Sequence, residues 1–129
     1  MVARYLIDTQ IFVWFAKGDN HLPPVAKEKL NNRNNEIFLS VASIWEIVIK
    51  VSIKKLSLDA PLQTILGRYG KDDFKLLPIE LGHTLATGNL PFHHRDPFDR
   101  LLVAQAQSED LEIISTDKVF DAYGVKRVG

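Results

Sequence analysis

Four acidic residues in this chain have types and positions that could do chemistry together: Asp8, Glu46, Asp99 and Asp117. Asp8 follows the first strand pattern, Glu46 lies in the helix after the second, Asp99 in the first turn of a later helix, and Asp117 after the fourth strand pattern. Open α/β sheets carry their chemistry at the carboxyl ends of strands, and these junctions can fall along one such edge. Asp96 adds a carboxylate three positions before Asp99, on the same side of a helix start. Carboxylates gathered in one cleft repel one another and raise each other's pKa unless a cation lies among them. Mg²⁺ or Mn²⁺ suits such a set, being hard, oxygen-seeking and usually left with water in its shell.

Every one of these acids also has a simpler reading. Asp8, Asp96 and Asp117 could be helix N-caps. Asp99 could serve the helix dipole from the first turn. Glu46 could close a capping box with Ser43. A cap can still face a cleft, so the two readings coexist, and one shared sheet edge accounts for Asp8, Glu46, Asp99 and Asp117 together.

The elements that must position them follow from periodicity. Residues 4–7 (RYLI) form a strand, and Ile11, Phe12, Trp14 and Phe15 belong to a following helix. A turn at 17–20 leads to a helix opened by Pro23 and Pro24 and running to about Asn32. A polar loop over 31–35 precedes a strand over 36–40 (EIFLS). Ile44, Ile47, Val48 and Val51 make an apolar stripe on a helix over 42–52. A further helix starts near Ala60 and Pro61 and ends around Gly67 to Gly70, and a strand over 74–77 is stopped by Pro78. A short helix over 79–87 and a surface loop over 88–95 come next. Asp96 and Pro97 then open the best-defined helix, through Ser108, with Asp as cap and Pro first inside. A strand over 111–115, a short helix over 117–123 and a last strand over 125–128 complete the chain. Helices alternating with short Ile/Leu/Val-rich strands define an α/β chain with a mostly parallel sheet covered on both faces.

The composition excludes several classes. At 129 residues the chain fits one domain, 1–129, with a core that needs no staples. It has no cysteine, which removes disulfides and thiolate metal sites. The zero formal net charge argues against a strong, indiscriminate nucleic-acid binder, although carboxylates that hold metal conceal positive charge elsewhere. Neither GxGxxG nor GxxxxGK[ST] occurs, so dinucleotide and P-loop sites are unsupported. No membrane span or signal peptide is legible, and the cytoplasm is the expected compartment.

Particular blocks carry a family resemblance: Leu6-Ile7-Asp8-Thr9, 40–46 with Trp45-Glu46-Ile47, 94–106 (HRDPFDRLLVAQA) and Ser115-Thr116-Asp117. Over essentially its whole length the chain resembles the PIN domain family, and within it the toxin ribonucleases of bacterial type II toxin–antitoxin pairs. The resemblance implies a three-layer α/β/α fold on a five-stranded parallel sheet with the first strand central. It implies a Mg²⁺ or Mn²⁺ site in which Asp8, Glu46, Asp99 and Asp117 are the catalytic acids and metal ligands. Asp96 and Arg100 match the subgroup, and Thr9 falls where the family has a small polar residue that helps orient water or phosphate. The implied activity is cleavage of RNA by water activated at the metal, leaving a 5′-phosphate and a 3′-hydroxyl. A homodimer and a small antitoxin partner are implied as well, with DNA recognition left to that partner.

A carboxylate cleft repels a polyanion, so cations must meet the RNA; Arg100, Arg95 and Lys50 are the candidates. His93 and His94 are expected to be exposed loop residues without a metal role. The aromatic content of the first helix, Phe12, Trp14 and Phe15, exceeds what a small core needs and points to an assembly surface. A haloacid-dehalogenase-like phosphatase would need a second Asp where Gln10 stands, and a receiver domain would need two acids near the first strand. The alternative from another class is a non-catalytic RNA-binding or protein-interaction domain, which divalent-cation binding would separate from a nuclease.

Overall fold

The computed structural model describes residues 2–70 and 72–129. In chain order the elements are β1 (Arg4–Ile7), α1 (Thr9–Lys17), α2 (Pro24–Asn31), β2 (Glu36–Ser40), α3 (Val41–Ser52), α4 (Leu62–Gly67) and β3 (Lys75–Leu77). There follow α5 (Leu81–Thr87), α6 (Pro97–Glu109), β4 (Glu112–Ile114), a 3-10 helix (Lys118–Tyr123) and β5 (Arg127–Val128). The strands form one five-stranded sheet in the order β3-β2-β1-β4-β5, and every pairing is parallel. The first strand is central, as expected.

Side chains alternate across a strand, and here both faces are apolar. Tyr5 and Ile7 of β1, with Ile37 and Leu39 of β2 and Ile114 of β4, pack with Ile11 and Phe12 of α1, Ile47 of α3 and Ile65 of α4. Leu6 and Ile113 point to the other face, with Leu102, Val103 and Ala106 of α6 and Phe120. Burial on both faces explains why these strands read as unbroken apolar runs.

Two sequence expectations are corrected here. Ser43 and Glu46 do not close a capping box. The helix begins earlier, with Ser40 as its N-cap, and the Ala42 amide donates to Ser40 Oγ at 3.0 Å. Ser43 is already inside α3, and its buried hydroxyl has no hydrogen-bond partner among the described residues. The apolar pattern continues through both serines, so composition alone does not decide between them.

The aromatic residues of α1 are not surplus. Phe12 is buried and meets Tyr69 and Phe74 edge-on, with ring centroids 6.0 and 5.6 Å away. Phe15 packs on the same two rings, and Trp14 stacks on His21 at 5.8 Å. Exposed apolar side chains lie elsewhere, among them Val41, Trp45 and Val48 on α3, Leu81 and Leu85 on α5, and Phe92.

Candidate metal centre

The parallel register brings the carboxyl ends of the three central strands level, since Ile7 of β1 is opposite both Leu39 of β2 and Ile114 of β4. The next residues, Asp8, Ser40 and Ser115, are buried polar groups at that edge. Asp8 caps α1: its Oδ1 accepts the Ile11 amide at 2.8 Å. Its Oδ2 accepts a short hydrogen bond from Ser115 Oγ. That same hydroxyl oxygen accepts the Asp117 amide at 2.9 Å, so Ser115 ties the first acid to the last. Asp117 caps the 3-10 helix through Val119.

Glu46 is buried on α3 and held from two sides. Thr9 Oγ1 donates to its Oε1 at 2.6 Å, and Lys50 Nζ reaches its Oε2 at 2.7 Å. The expectation for Thr9 thus takes a definite form: its proton is spent on orienting Glu46. Asp96 is the N-cap of α6, accepting from Phe98 at 2.8 Å and Asp99 at 3.4 Å. The cap reading holds for Asp8, Asp96 and Asp117, and none of these caps removes the carboxylate from the cluster.

The acids act on one another electrostatically. Burial first, then the charge of Asp96, with Asp8 and Glu46 adding, pushes the Asp99 carboxyl up to about 7, against the lowering influence of His94. Burial likewise raises Asp8 to about 6, opposed by its bonds from Ser115 and Ile11, with Asp117 and Glu46 adding repulsion. Lys50 is shifted up, foremost by its bond to Glu46. Raised carboxyls clustered at strand ends mark a candidate functional site.

A consequence for stability follows. A carboxyl whose folded-state pKa is raised contributes stability that is fully present below its unfolded pKa and lost as pH rises through the folded one. For Asp8 and Asp99 that window runs from about 4 up to about 6 and 7. Metal-free protein is expected to lose stability between about pH 4 and 7 from these two groups, on the order of a few kcal/mol. Urea midpoints should show a shallower pH slope in an Asp8→Asn/Asp99→Asn double variant. An unchanged slope would mean that the two carboxyls are not raised.

His94 is the residue that sequence reasoning missed. It is neither exposed nor remote: Nε2 lies 2.9 Å from Asp117 Oδ2 and 3.0 Å from Asp99 Oδ2. One ligand atom each of His94, Asp99 and Asp117 falls within 4.8 Å of the others, a spacing that a single divalent ion can bridge. The hints in the sequence were its place at the head of the 94–106 block and two residues before the Asp96 cap, and spacing alone could not say which way the ring turns. His93, by contrast, is exposed and packs edge-on against Tyr123.

Arg100 is also placed differently from its expectation as a phosphate contact. It is buried. Its Nη1 donates to the carbonyls of Pro91 and His94 at 2.9 and 3.4 Å, and its Nη2 to those of Thr87 and Leu90 at 2.8 and 3.2 Å. The guanidinium also sits 4.2 Å from the centre of the Phe92 ring. Four of its five donors are spent on the backbone of the loop that carries His94, because a lone charge inside the fold must find acceptors there. Lys50 faces Glu46, and Arg95 is exposed.

Residues 5–126 match the PIN domain model, and the chain belongs to the PIN domain family. No curated protein matches it in sequence. Among solved structures, it is similar to VapBC2 from Rickettsia felis bound to a DNA fragment from their promoter, at 17% identity and TM-score 0.72 over 97% of each chain. DNA-bound VapBC from Salmonella typhimurium has 18% identity and TM-score 0.72 over 99% of this chain and 98% of that one. VapC20 from Mycobacterium tuberculosis, a sarcin–ricin loop cleaving toxin, has 14% identity and TM-score 0.72 over 96% and 98%. At these identities the likeness is one of fold. Among the described residues no helix is long and apolar enough to cross a membrane.

Proposed function

We propose that this chain is a Mg²⁺- or Mn²⁺-dependent endoribonuclease, the toxin of a toxin–antitoxin pair, which hydrolyses RNA phosphodiester bonds with activated water. The observation that carries this reading is the carboxylate cluster at the sheet edge, in which Asp8 and Glu46 are buried and Asp99 partly so, with Asp8 raised to about 6 and Asp99 to about 7 by burial and mutual repulsion. A cation would relieve the repulsion that remains after His94, Lys50 and Ser115 have paired with these acids. Asp8 and Asp99 would hold the ion, with Glu46 binding it or its water and Asp117 completing the set. The donors fit a hard ion, being carboxylate oxygens.

A divalent ion held by these acids would supply a lowered pKa for its bound water and positive charge against that building on the phosphoryl oxygens. The chain's own residues fix the geometry. Ser115 holds Asp8 and Asp117 in one register. Thr9 and Lys50 fix the two oxygens of Glu46. Water adds to phosphorus as the bond to the 3′-oxygen breaks, and that oxygen leaves with a proton. The products carry a 5′-phosphate and a 3′-hydroxyl. With Arg100 spent on the loop, Lys50 and Arg95 are the cations that meet the RNA phosphates.

RNA as substrate and an antitoxin as partner are supported by the fold likeness to VapC20 and to toxin–antitoxin complexes. Uncovered apolar side chains on α3 and α5 supply surface for that partner and for a second copy of this chain. The direct test is cleavage of a defined RNA with Mg²⁺, Mn²⁺ or EDTA, followed by end-group analysis. Cleavage with either ion, none in EDTA, and 5′-phosphate ends are expected. Cleavage that persists in EDTA, or 2′,3′-cyclic phosphate ends, would overturn the proposal in favour of attack by the RNA's own 2′-hydroxyl. Binding without cleavage would favour a non-catalytic RNA-binding domain.

A further inference from the structure

The His94 ring is held in one orientation by its surroundings. Its backbone amide donates to Tyr123 Oη at 2.8 Å, and that hydroxyl donates onward to the Pro91 carbonyl at 2.8 Å. The ring packs against Phe120 with centroids 5.9 Å apart. The amide of Asp96 donates to His94 Nδ1 at 3.2 Å. Nδ1 therefore presents a lone pair, and the ring proton of the neutral imidazole is on Nε2. That N–H points between Asp99 Oδ2 and Asp117 Oδ2.

A histidine that ligates a metal needs the opposite arrangement. The ligating nitrogen must carry the lone pair, and the other nitrogen donates its N–H to a carboxylate, carbonyl or water. Here the other nitrogen faces a donor. Ligation through Nε2 would set the Nδ1–H against the Asp96 N–H, which now donates to Nδ1. The close approach of the three residues, which looks like a ligand triad, arises from hydrogen bonds donated by His94.

We infer that His94 is an internal counter-group of the carboxylate cluster, whose Nε2–H holds the Asp99 and Asp117 oxygens that a divalent ion would need. It rests on the metal-hydrolase reading above. It adds that the ion's ligands are carboxylates alone and that His94 lowers the apparent affinity by competing for Asp99 and Asp117. His94 is on this account a positioning residue, keeping two mutually repelling carboxylates in register until the ion arrives.

The test uses the full chain and Mn²⁺ by calorimetric titration. His94→Ala removes the competing donor, and should bind Mn²⁺ about tenfold more tightly, the scale on which a hydrogen bond to a charged group acts. His94→Gln carries an amide N–H near the position of Nε2 and should stay close to wild type. A second readout needs no variant. On adding Mg²⁺, the Nε2 nitrogen of wild-type His94 should keep its proton and its pyrrole-type ¹⁵N shift while losing its carboxylate partners. Weaker or unchanged Mn²⁺ binding by His94→Ala, or an Nε2 shift to the imine type with a new Nδ1–H, would overturn the inference. Should His94→Ala fail to fold, the nitrogen shifts decide by themselves. Wild-type protein that binds neither ion would bring down the metal-hydrolase reading as well, whereas binding with no gain in His94→Ala brings down this inference only.

Discussion

Asp8→Asn is expected to fold, to be at least as stable as wild type at neutral pH, and to lose RNA cleavage by at least ~100-fold. The fold survives because an asparagine Oδ1 still accepts from the Ile11 amide, which keeps the α1 cap. The Ser115 hydroxyl, now a donor to Asp8, can rotate its proton away and accept from the new amide. Stability holds or rises because burial has raised the native carboxyl to about 6, so at pH 7 its ionised form is a cost to the fold that Asn removes. Activity falls because the charge that holds the ion is gone. Gain of stability with loss of function is the pattern of a strained catalytic group. The measurement is cleavage of one RNA under Mg²⁺, Mn²⁺ and EDTA beside thermal unfolding of both proteins. A folded Asp8→Asn protein with full activity would end the metal-hydrolase reading.

Arg100→Ala should cost about 3 kcal/mol of stability, because it strands carbonyls, the buried Leu90 carbonyl among them, that now share a charged donor. The Thr87, Leu90, Pro91 and His94 carbonyls all converge on this one guanidinium. Arg100→Lys should recover only a small part. A single ammonium lacks the planar fork that serves several acceptors at once and the flat face that lies on Phe92. Urea unfolding of the three proteins checks this. If Arg100→Ala were as stable as wild type and merely bound RNA less tightly, the side chain would be a phosphate contact after all. On the structure, any loss of cleavage in Arg100→Ala follows from the loop between α5 and α6 coming loose, and with it His94.

The two residues show where local reading succeeds and where it stops. Asp96 and Pro97 announce the start of α6 because a cap acts over two or three residues, and the structure places that cap at the same residue. The strand at 36–40 is read to the residue, since its apolar run and flanking polar loop are contiguous. Arg100 carries no such local sign. An arginine beside an acid in a helix's first turn reads equally well as a hand for phosphate or as a clamp on the chain. The choice is made by four carbonyls six to thirteen residues earlier.

What the sequence by itself determined is the set of elements, their parallel α/β arrangement, and the acids Asp8, Glu46, Asp99 and Asp117 at helix starts or just inside. These depend on periodicity, caps and residue type, all of which act within a turn or two of chain. The tertiary structure alone decided how those acids are held and what stands among them. The bond that ties Asp8 to Ser115 spans 107 positions, and the contact of His94 with Asp117 spans 23. It also decided that Phe12 and its neighbours close on Tyr69 and Phe74. Burial and hydrogen-bond direction come from which distant segments the sheet order brings side by side. A histidine in a polar loop and a histidine pointed between two carboxylates have the same local sequence, and only packing around Tyr123, Phe120 and the Asp96 amide makes this one the latter.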